Sequence, residues 1–520
     1  MSEILSQRLT EIADLGGGRL LAGGGRGIEK ESLRISPDGL VSHAPHPIIL
    51  GSALTNKFVT TDYSEALLEF VTPPEPYAWG AMQFLCDIHQ FVYAGLGEEL
   101  LWPLSMPCKL RSEADIPLAR YGTSNVGRMK TIYRHGLGLR YGRYMQVISG
   151  IHFNYSLPDA FWPVWADMNE SELSLAELKS QSYMGLVRNV RRLDWLLLYL
   201  FGASPSLCES FLQGTETDLE KMQDGTRFGR WATSLRMSDL GYQNSNQAKL
   251  QVSANSLEEY VRDLSSAIVT SNDDYLKLGV KQGENYLQLN ANQLQIENEY
   301  YSTIRPKRVA RSGERPTSAL ERGGVEYVEL RALDINPFSP CGIDQPQQKF
   351  LEAFLIYCLL QESPPVTTGE YSDIRRNHSE VACRGREPGL QIMSNGKATD
   401  LAKRAGEILE EIRPICDFLD TAGDKSYRVA LDAQLDAVED SSKTPSARLL
   451  KELEESGGSF AEFGLQLAGE YREYFSGLET EFNSHHAIFS AESEKSLERQ
   501  AEIEAADTLS LDEYLTQYYA

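Results

Sequence analysis

GIEKESLRI, residues 27–35, alternates as an extended strand does, and its alternation places Glu29 and Glu31 on one face together with Leu33 and Ile35. Acids on a wet face are ordinary, but acids interleaved with large aliphatics are not. The pattern recurs. In ALLEFVT (66–72) Glu69 shares its face with Leu67 and Val71, and Asp62 precedes that strand in the turn-like TTDYS. In YMQVISGIHFNYSL (144–157) Gln146, His152 and Asn154 fall on one side and Val147, Ile151 and Phe153 on the other. In VEYVELRAL (325–333) Glu329 and Arg331 share a face with Tyr327 and Leu333, while Glu326 points the opposite way. YLQLNA (286–291) and LQIENEY (294–300) also read as strands.

Helical periodicity lies between and after these runs, around 77–97 and in SELSLAELKSQ (171–181), SLEEYVRDLSSAIV (256–269) and QQKFLEAFLIYCLLQ (347–361). Beyond 398 only charged amphipathic segments remain, such as LAKRAGEILEEI and SARLLKELEES. The expectation is an α+β fold: a curved, mainly antiparallel sheet with surrounding helices and a helical C-terminal third. The stretch 362–396, rich in Pro, Ser, Gly and Arg, is the expected boundary between a catalytic α+β region, 1–361, and a mainly helical region, 362–520, packed on it.

Composition narrows the function. The chain has 520 residues, 42% hydrophobic and 24% charged, as a globular protein has. Its 50 Lys and Arg against 74 Asp and Glu leave a formal charge of -24, whose field repels nucleic acid and anionic membranes. Any anionic ligand must therefore be held by a local cluster of cations or by metal ions. The seven cysteines are scattered, without a CxxC pair, and read as reduced thiols in a cytoplasmic protein. The N-terminal stretch lacks a signal peptide's apolar core, and the longest apolar run, 195–203, is too short to span a bilayer. Glycines at 16–18 and 23–25 suggest a flexible lead, but the phosphate-loop order Gly-x-x-x-x-Gly-Lys-Ser/Thr is absent.

If the strands pair into one sheet, its concave face gathers Glu29, Glu31, Asp62, Glu69, Glu329 and His152. Each acid alone reads equally as a solvated face residue, and His152 alone as a core histidine. Together, five carboxylates require neutralisation, and hard oxygen donors in that number suit Mg²⁺ or Mn²⁺ completed by substrate phosphates. Cations are clustered too: Arg305, Lys307, Arg308, Arg311 and Arg315 in IRPKRVARSGER, and Arg128, Lys130, Arg134, Arg140 and Arg143 after the loop GTSNVG. Either group also reads as a basic surface stretch. Acidic metal ligands with basic clusters are the parts of phosphoryl transfer, which predicts a magnesium-dependent, nucleotide-using enzyme without naming a substrate.

The strings RGIEKESLRI, LGSALTNKFVTTDYSEALLEFVTP, WPLSMPC, YGTSNVGRMKTIYRHGL, SGIHFNYSLP, LGYQNSNQ, LQIENEYYSTIRPKR and VEYVELRALDINPFSP, in this order, closely resemble the proteobacterial class of glutamate-cysteine ligase. The likeness runs from about residue 26 to 360, with an echo in EAADT at 504–508. It implies an ATP- and Mg²⁺-dependent ligase joining the γ-carboxylate of L-glutamate to the amine of L-cysteine, the first step of glutathione synthesis, on a funnel-like sheet akin to that of glutamine synthetase. It implies metal ligation by Glu29, Glu31, Asp62, Glu69, His152 and Glu329, and stabilisation of the transferred phosphate by Arg331. It implies a glutamate site of Arg134, Gln146, Asn154 and Arg236, a cysteine pocket of Tyr133, Tyr242 and Tyr301, and ATP phosphates on Lys307 and Arg308. Feedback by glutathione is a further implication. Competing readings are a related carboxylate-amine ligase with another amine acceptor, and a catalytically silent relative that acts as a scaffold; the presence of every ligating acid and of Arg331 speaks against the second.

Overall fold

The computed structural model describes residues 3–223, 225–241, 250–311, 313–422, 425–479 and 483–519. Its centre is a seven-stranded antiparallel sheet made of β1 (Gly25–Ile35), β2 (Val59–Thr61), β3 (Leu67–Val71), β4 (Leu100–Leu101), β5 (Gly150–Ser156), β6 (Ile304–Lys307) and β7 (Tyr327–Asp334). The order is β6-β7-β5-β1-β3-β2, with β4 on the far end of β1. Alternation works as the sequence predicts. Ile28, Ile151, Phe153, Tyr155, Val328 and Leu330 are all buried in the main core on one face, where truncating a Phe costs about 3–5 kcal/mol.

That apolar face is covered by α1 (Ala78–Gly95), by α3 (Leu175–Phe201), which packs on β6 and β7, and by α4 (Gln345–Leu360). Each begins or ends where local chemistry dictates. Ser174 and Glu177 form a reciprocal capping box at the start of α3, and Asp344 accepts the Gln347 N–H at 2.8 Å ahead of Pro346 in the first turn of α4. The helix α2 (Asn125–Tyr141) is capped by the Ser124 side chain, which accepts from Gly127.

The chain after 361 contributes α5 (Thr368–Arg384), α6 (Leu401–Thr421), α7 (Tyr427–Glu439), α8 (Phe460–Gly477), α9 (His486–Ala506) and α10 (Leu511–Tyr519). It also holds a hairpin of β8 (Gln391–Ser394) and β9 (Lys397–Asp400), a strand pair that the periodicity does not reveal because it is only four residues deep. The stretch 362–396 carries the 17-residue helix α5, packed on α3. The C-terminal helices reach the sheet as well: Arg26 of β1 is buried in an ion pair with Glu352 of α4, and Tyr427 of α7 lies 3.1 Å from its guanidinium. Two expected strands are absent. Residues 286–291 have only the two-residue strand Asn285–Tyr286, and 294–300 form a loop with a 3-10 turn at Glu297–Glu299. All seven cysteines are free thiols, and among the described residues no helix is long and apolar enough to cross a membrane.

Candidate active site

The second face of the sheet carries ionisable groups. Pairing sets Glu31 opposite Glu69, Glu29 opposite His152, and Asn154 opposite Glu329, so residues from four segments far apart in sequence form one patch. A β-bulge between Leu330 and Leu333 refines the last strand. The extra residue lets Arg331 stay beside Glu329 but turns Leu333 to pair with Ile151 in the apolar core, so Leu333 does not share the face of Glu329 as strict alternation predicts.

These side chains open into a cavity of about 280 Å³. Glu29, Glu31, Asp62, Glu69, His152, Glu329, Arg331 and Lys307 line it from the sheet side, Tyr133 and Arg134 from α2, and Gln146 and Tyr301 from the loops. Asn154, Arg236 and Arg308 are not among the described residues lining it. Asn154 sits behind Glu29 and donates to its Oε1 at 2.9 Å. Arg236 is buried beneath the patch, donating to the Arg331 carbonyl at 3.0 Å and lying 3.6 Å from Asp334. Arg308 is committed to the carbonyls of Gly323 and Gly324 and to Glu326, capping the helix Pro316–Gly323. Tyr242 lies outside the described residues.

The cavity also presents Arg305 of the basic cluster 305–315, together with Tyr63, Leu137, Tyr141, Met145, Asn298 and Glu299, to which the sequence assigns no role. Leu137 and Tyr141 stand one and two turns beyond Tyr133 on α2, and that helical spacing was the available signal. The basic cluster 128–143 is mostly spent on structure: Arg140 is buried against Glu299 at 2.9 Å, and Arg143 donates to Ile116 O at 3.2 Å.

Two electrostatic regimes share the cavity. Glu29, His152 and Glu329 each offer a donor atom within 4.8 Å of the others, a spacing able to hold a metal ion. Burial opposes the charge of Glu329, but Lys307 at 3.1 Å and Arg331 at 3.1 Å hold its carboxyl well below the usual range. Burial and Glu329 push Glu29 up, and the bond from His152 at 2.9 Å with the Lys307 charge outweighs them, leaving it lowered. Burial, then Arg331, lowers His152, so its ring is neutral; the bond assigns the proton to Nδ1 and leaves the Nε2 lone pair for a ligand. Glu31 and Glu69 differ. Burial, then the charge of Asp62, pushes Glu31 up to about 8, although the Gly150 N–H donates to it at 2.6 Å. Burial, then Glu29, Asp62 and Glu31, raises Glu69 well above the ordinary value. Acids so short of positive charge suit divalent cations, which return them to the ionised form.

A sequence model of the glutamate-cysteine ligase family matches residues 9–381. A glutamate-cysteine ligase from Alcanivorax borkumensis is 48% identical over 522 residues, covering 99% of each chain, and one from Serratia proteamaculans is 47% identical over 95% of each. Among solved structures, a glutamate-cysteine ligase from Francisella tularensis in complex with AMP superposes with a TM-score of 0.90 at 35% identity, covering 96% of this chain and 98% of that one. A bifunctional glutathione synthetase from Pasteurella multocida gives a TM-score of 0.73 at 25% identity, over 94% of this chain and 58% of that one. With matches of this extent, the chain belongs to the glutamate-cysteine ligase family.

Proposed function

We propose that the protein joins the γ-carboxylate of L-glutamate to the amine of L-cysteine, coupled to conversion of ATP to ADP and phosphate, as the first step of glutathione synthesis in the cytoplasm. A carboxylate does not condense with an amine in water unaided; transfer of the terminal phosphoryl group makes a γ-glutamyl phosphate, which the cysteine nitrogen attacks, releasing phosphate. The observation that carries the reading is the meeting, in one cavity, of the Glu29-His152-Glu329 trio with Lys307 and Arg331.

Each role follows from position. Arg331 has a buried Nε without a protein partner and stands beside Glu329, placed to take up charge on the transferred phosphoryl group. Lys307 faces the same carboxylate and is assigned to ATP phosphates. Arg134 and Gln146 are assigned to glutamate, with Asn154 and Arg236 supporting Glu29 and Arg331 from behind. Tyr133 and Tyr301 are assigned as walls of the cysteine pocket. Glu29, Glu31, Asp62, Glu69, His152 and Glu329 would hold Mg²⁺, or Mn²⁺ in its place, and the cation would supply charge neutralisation on the phosphate oxygens. Glutathione, whose γ-glutamyl end matches the substrate, is proposed to compete with glutamate, which a competitive pattern in initial rates tests.

Phosphate release from ATP and glutamate, measured with cysteine, 2-aminobutyrate, serine, ammonia or no amine, tests the assignment. An aromatic-walled pocket accepts the methyl of 2-aminobutyrate, whereas a serine hydroxyl buried without a partner costs roughly 1–3 kcal/mol, or roughly 5- to 150-fold in kcat/KM. The expected order is cysteine, 2-aminobutyrate, serine. Faster turnover with ammonia than with cysteine points instead to a carboxylate-amine ligase with another acceptor.

A further inference from the structure

Helix α10 lies beyond the 9–381 stretch matched by the family, yet it packs against α2, the helix whose Tyr133 and Arg134 line one wall of the cavity. Leu511 and Leu515 are buried with Met129 of α2 and Leu289 in a small apolar cluster separate from the main core, and Tyr133 packs against it. At the end of α10, Tyr519 donates its hydroxyl to the backbone carbonyl of Gln295 at 2.7 Å.

Gln295 is fully buried. Its Nε2 donates to the Tyr133 carbonyl at 3.2 Å, its Oε1 accepts from Leu289 at 3.0 Å, and its own N–H donates to Glu299 at 2.6 Å. It fills the notch left by Gly136 one turn along α2, where a Cβ would stand 2.2 Å from Oε1. A buried amide with its bonds made is a rigid spacer. Here it fixes the distance between Tyr133 and Glu299, two residues on the cavity wall.

We propose that Gln295 and Tyr519 are positioning residues that set the Tyr133 wall for the amine substrate, a small amino acid with a short, partly apolar side chain; this rests on the reading of Tyr133 as part of the cysteine pocket. The neighbouring Arg134 is held from elsewhere, by the carbonyl of Asp62, by the carbonyl of Lys130 at 3.0 Å and by the ring of Tyr121 at 4.6 Å. Lys307 is anchored across the sheet by Glu329. The tie from α10 therefore acts on the cysteine side and leaves the glutamate and ATP sides alone.

Three variants test this: Tyr519→Phe, which removes only the hydroxyl, Leu515→Ala, which loosens the cluster, and Tyr133→Leu, which probes the pocket itself. Tyr519→Phe and Leu515→Ala are expected to raise the KM for cysteine about three- to tenfold, the scale of one lost hydrogen bond or a comparable loss of packing, with KM for glutamate and ATP unchanged. Tyr519→Phe should also keep its melting temperature, and Tyr133→Leu should raise the KM for cysteine further. An unchanged KM for cysteine in the first two with a raised one in Tyr133→Leu overturns the positioning role. So does a parallel rise in all three KM values, which marks a merely structural helix. An unchanged KM for cysteine in Tyr133→Leu overturns the pocket reading itself.

Discussion

Glu29 and Glu329 sit on one side of the cavity beside Lys307, Arg331 and a neutral His152, and their carboxyls are lowered. Glu31 and Glu69, one strand pair away across β1 and β3, are buried to a similar degree beside Asp62, and theirs are raised. Burial is alike on the two sides, so the difference comes from partners. Two acids facing two cations need nothing more to stay ionised; acids facing one another hold their protons more tightly. The protein itself balances the first side and leaves the second short of positive charge.

Replacing Glu329 attacks the first side and should have the largest effect. Glu329→Gln is expected to lower kcat/KM by about 100-fold or more, since it releases both Lys307 and Arg331 from their common anchor. Glu326→Gln, whose carboxylate faces Arg308 away from the cavity, should stay within about twofold of the parent. Steady-state kinetics with a check of the folded state by circular dichroism measure both, and equal losses in the two variants would erase the distinction between the faces of β7.

The second side predicts a different signature. Glu69→Gln should weaken activation by Mg²⁺ by about 10- to 100-fold, with most of kcat recovered at high Mg²⁺. A titration of rate against Mg²⁺ checks this, and a loss that excess metal leaves untouched would place Glu69 with Glu329.

Proton linkage separates the sides further. The unfolded Glu31 carboxyl titrates near about 4.3, whereas in the folded chain it is pushed up to about 8. Between those values the folded state binds the extra proton, so this group's contribution to stability is full below the lower value and is lost as pH rises through the upper one. Without divalent ions, the melting temperature of the parent should therefore fall relative to Glu31→Gln between about pH 4 and pH 8. Added Mg²⁺ should abolish the fall. A rise instead would mean that Glu31 is already neutralised by the protein.

Asn154 offers the smallest and finest test. Because it donates to Glu29 and does not line the cavity among the described residues, Asn154→Ala should shift Mg²⁺ activation by about fivefold, the scale of one hydrogen bond to a charged group, and leave the KM for glutamate alone. A change in that KM with no change in metal dependence would return Asn154 to the glutamate site.

Much of this was legible in the chain. Period-two alternation in GIEKESLRI, ALLEFVT, GIHFNYS and VEYVELR was strong enough to place five ionisable ligand candidates and Arg331 on one face, because a pleated strand leaves a side chain no third direction. Register was not legible. Which acid faces which is set by pairing between strands that are not neighbours in the chain, and the bulge that sends Leu333 to the core depends on the neighbouring strand β5. Basic clusters misled in part for the same reason: Arg140 and Arg308 look like phosphate ligands in one dimension, and in three each finds a carboxylate or a helix end closer than the cavity. Sequence alone thus determined the residue types, the faces and the family likeness, since these rest on local periodicity and composition. Only the tertiary structure decided which carboxylates are balanced by Lys307 and Arg331 and which are not, that Asn154 and Arg236 lie behind the cavity wall, and that helix α10 packs back onto α2, because each of these is a distance between groups that the covalent chain leaves free.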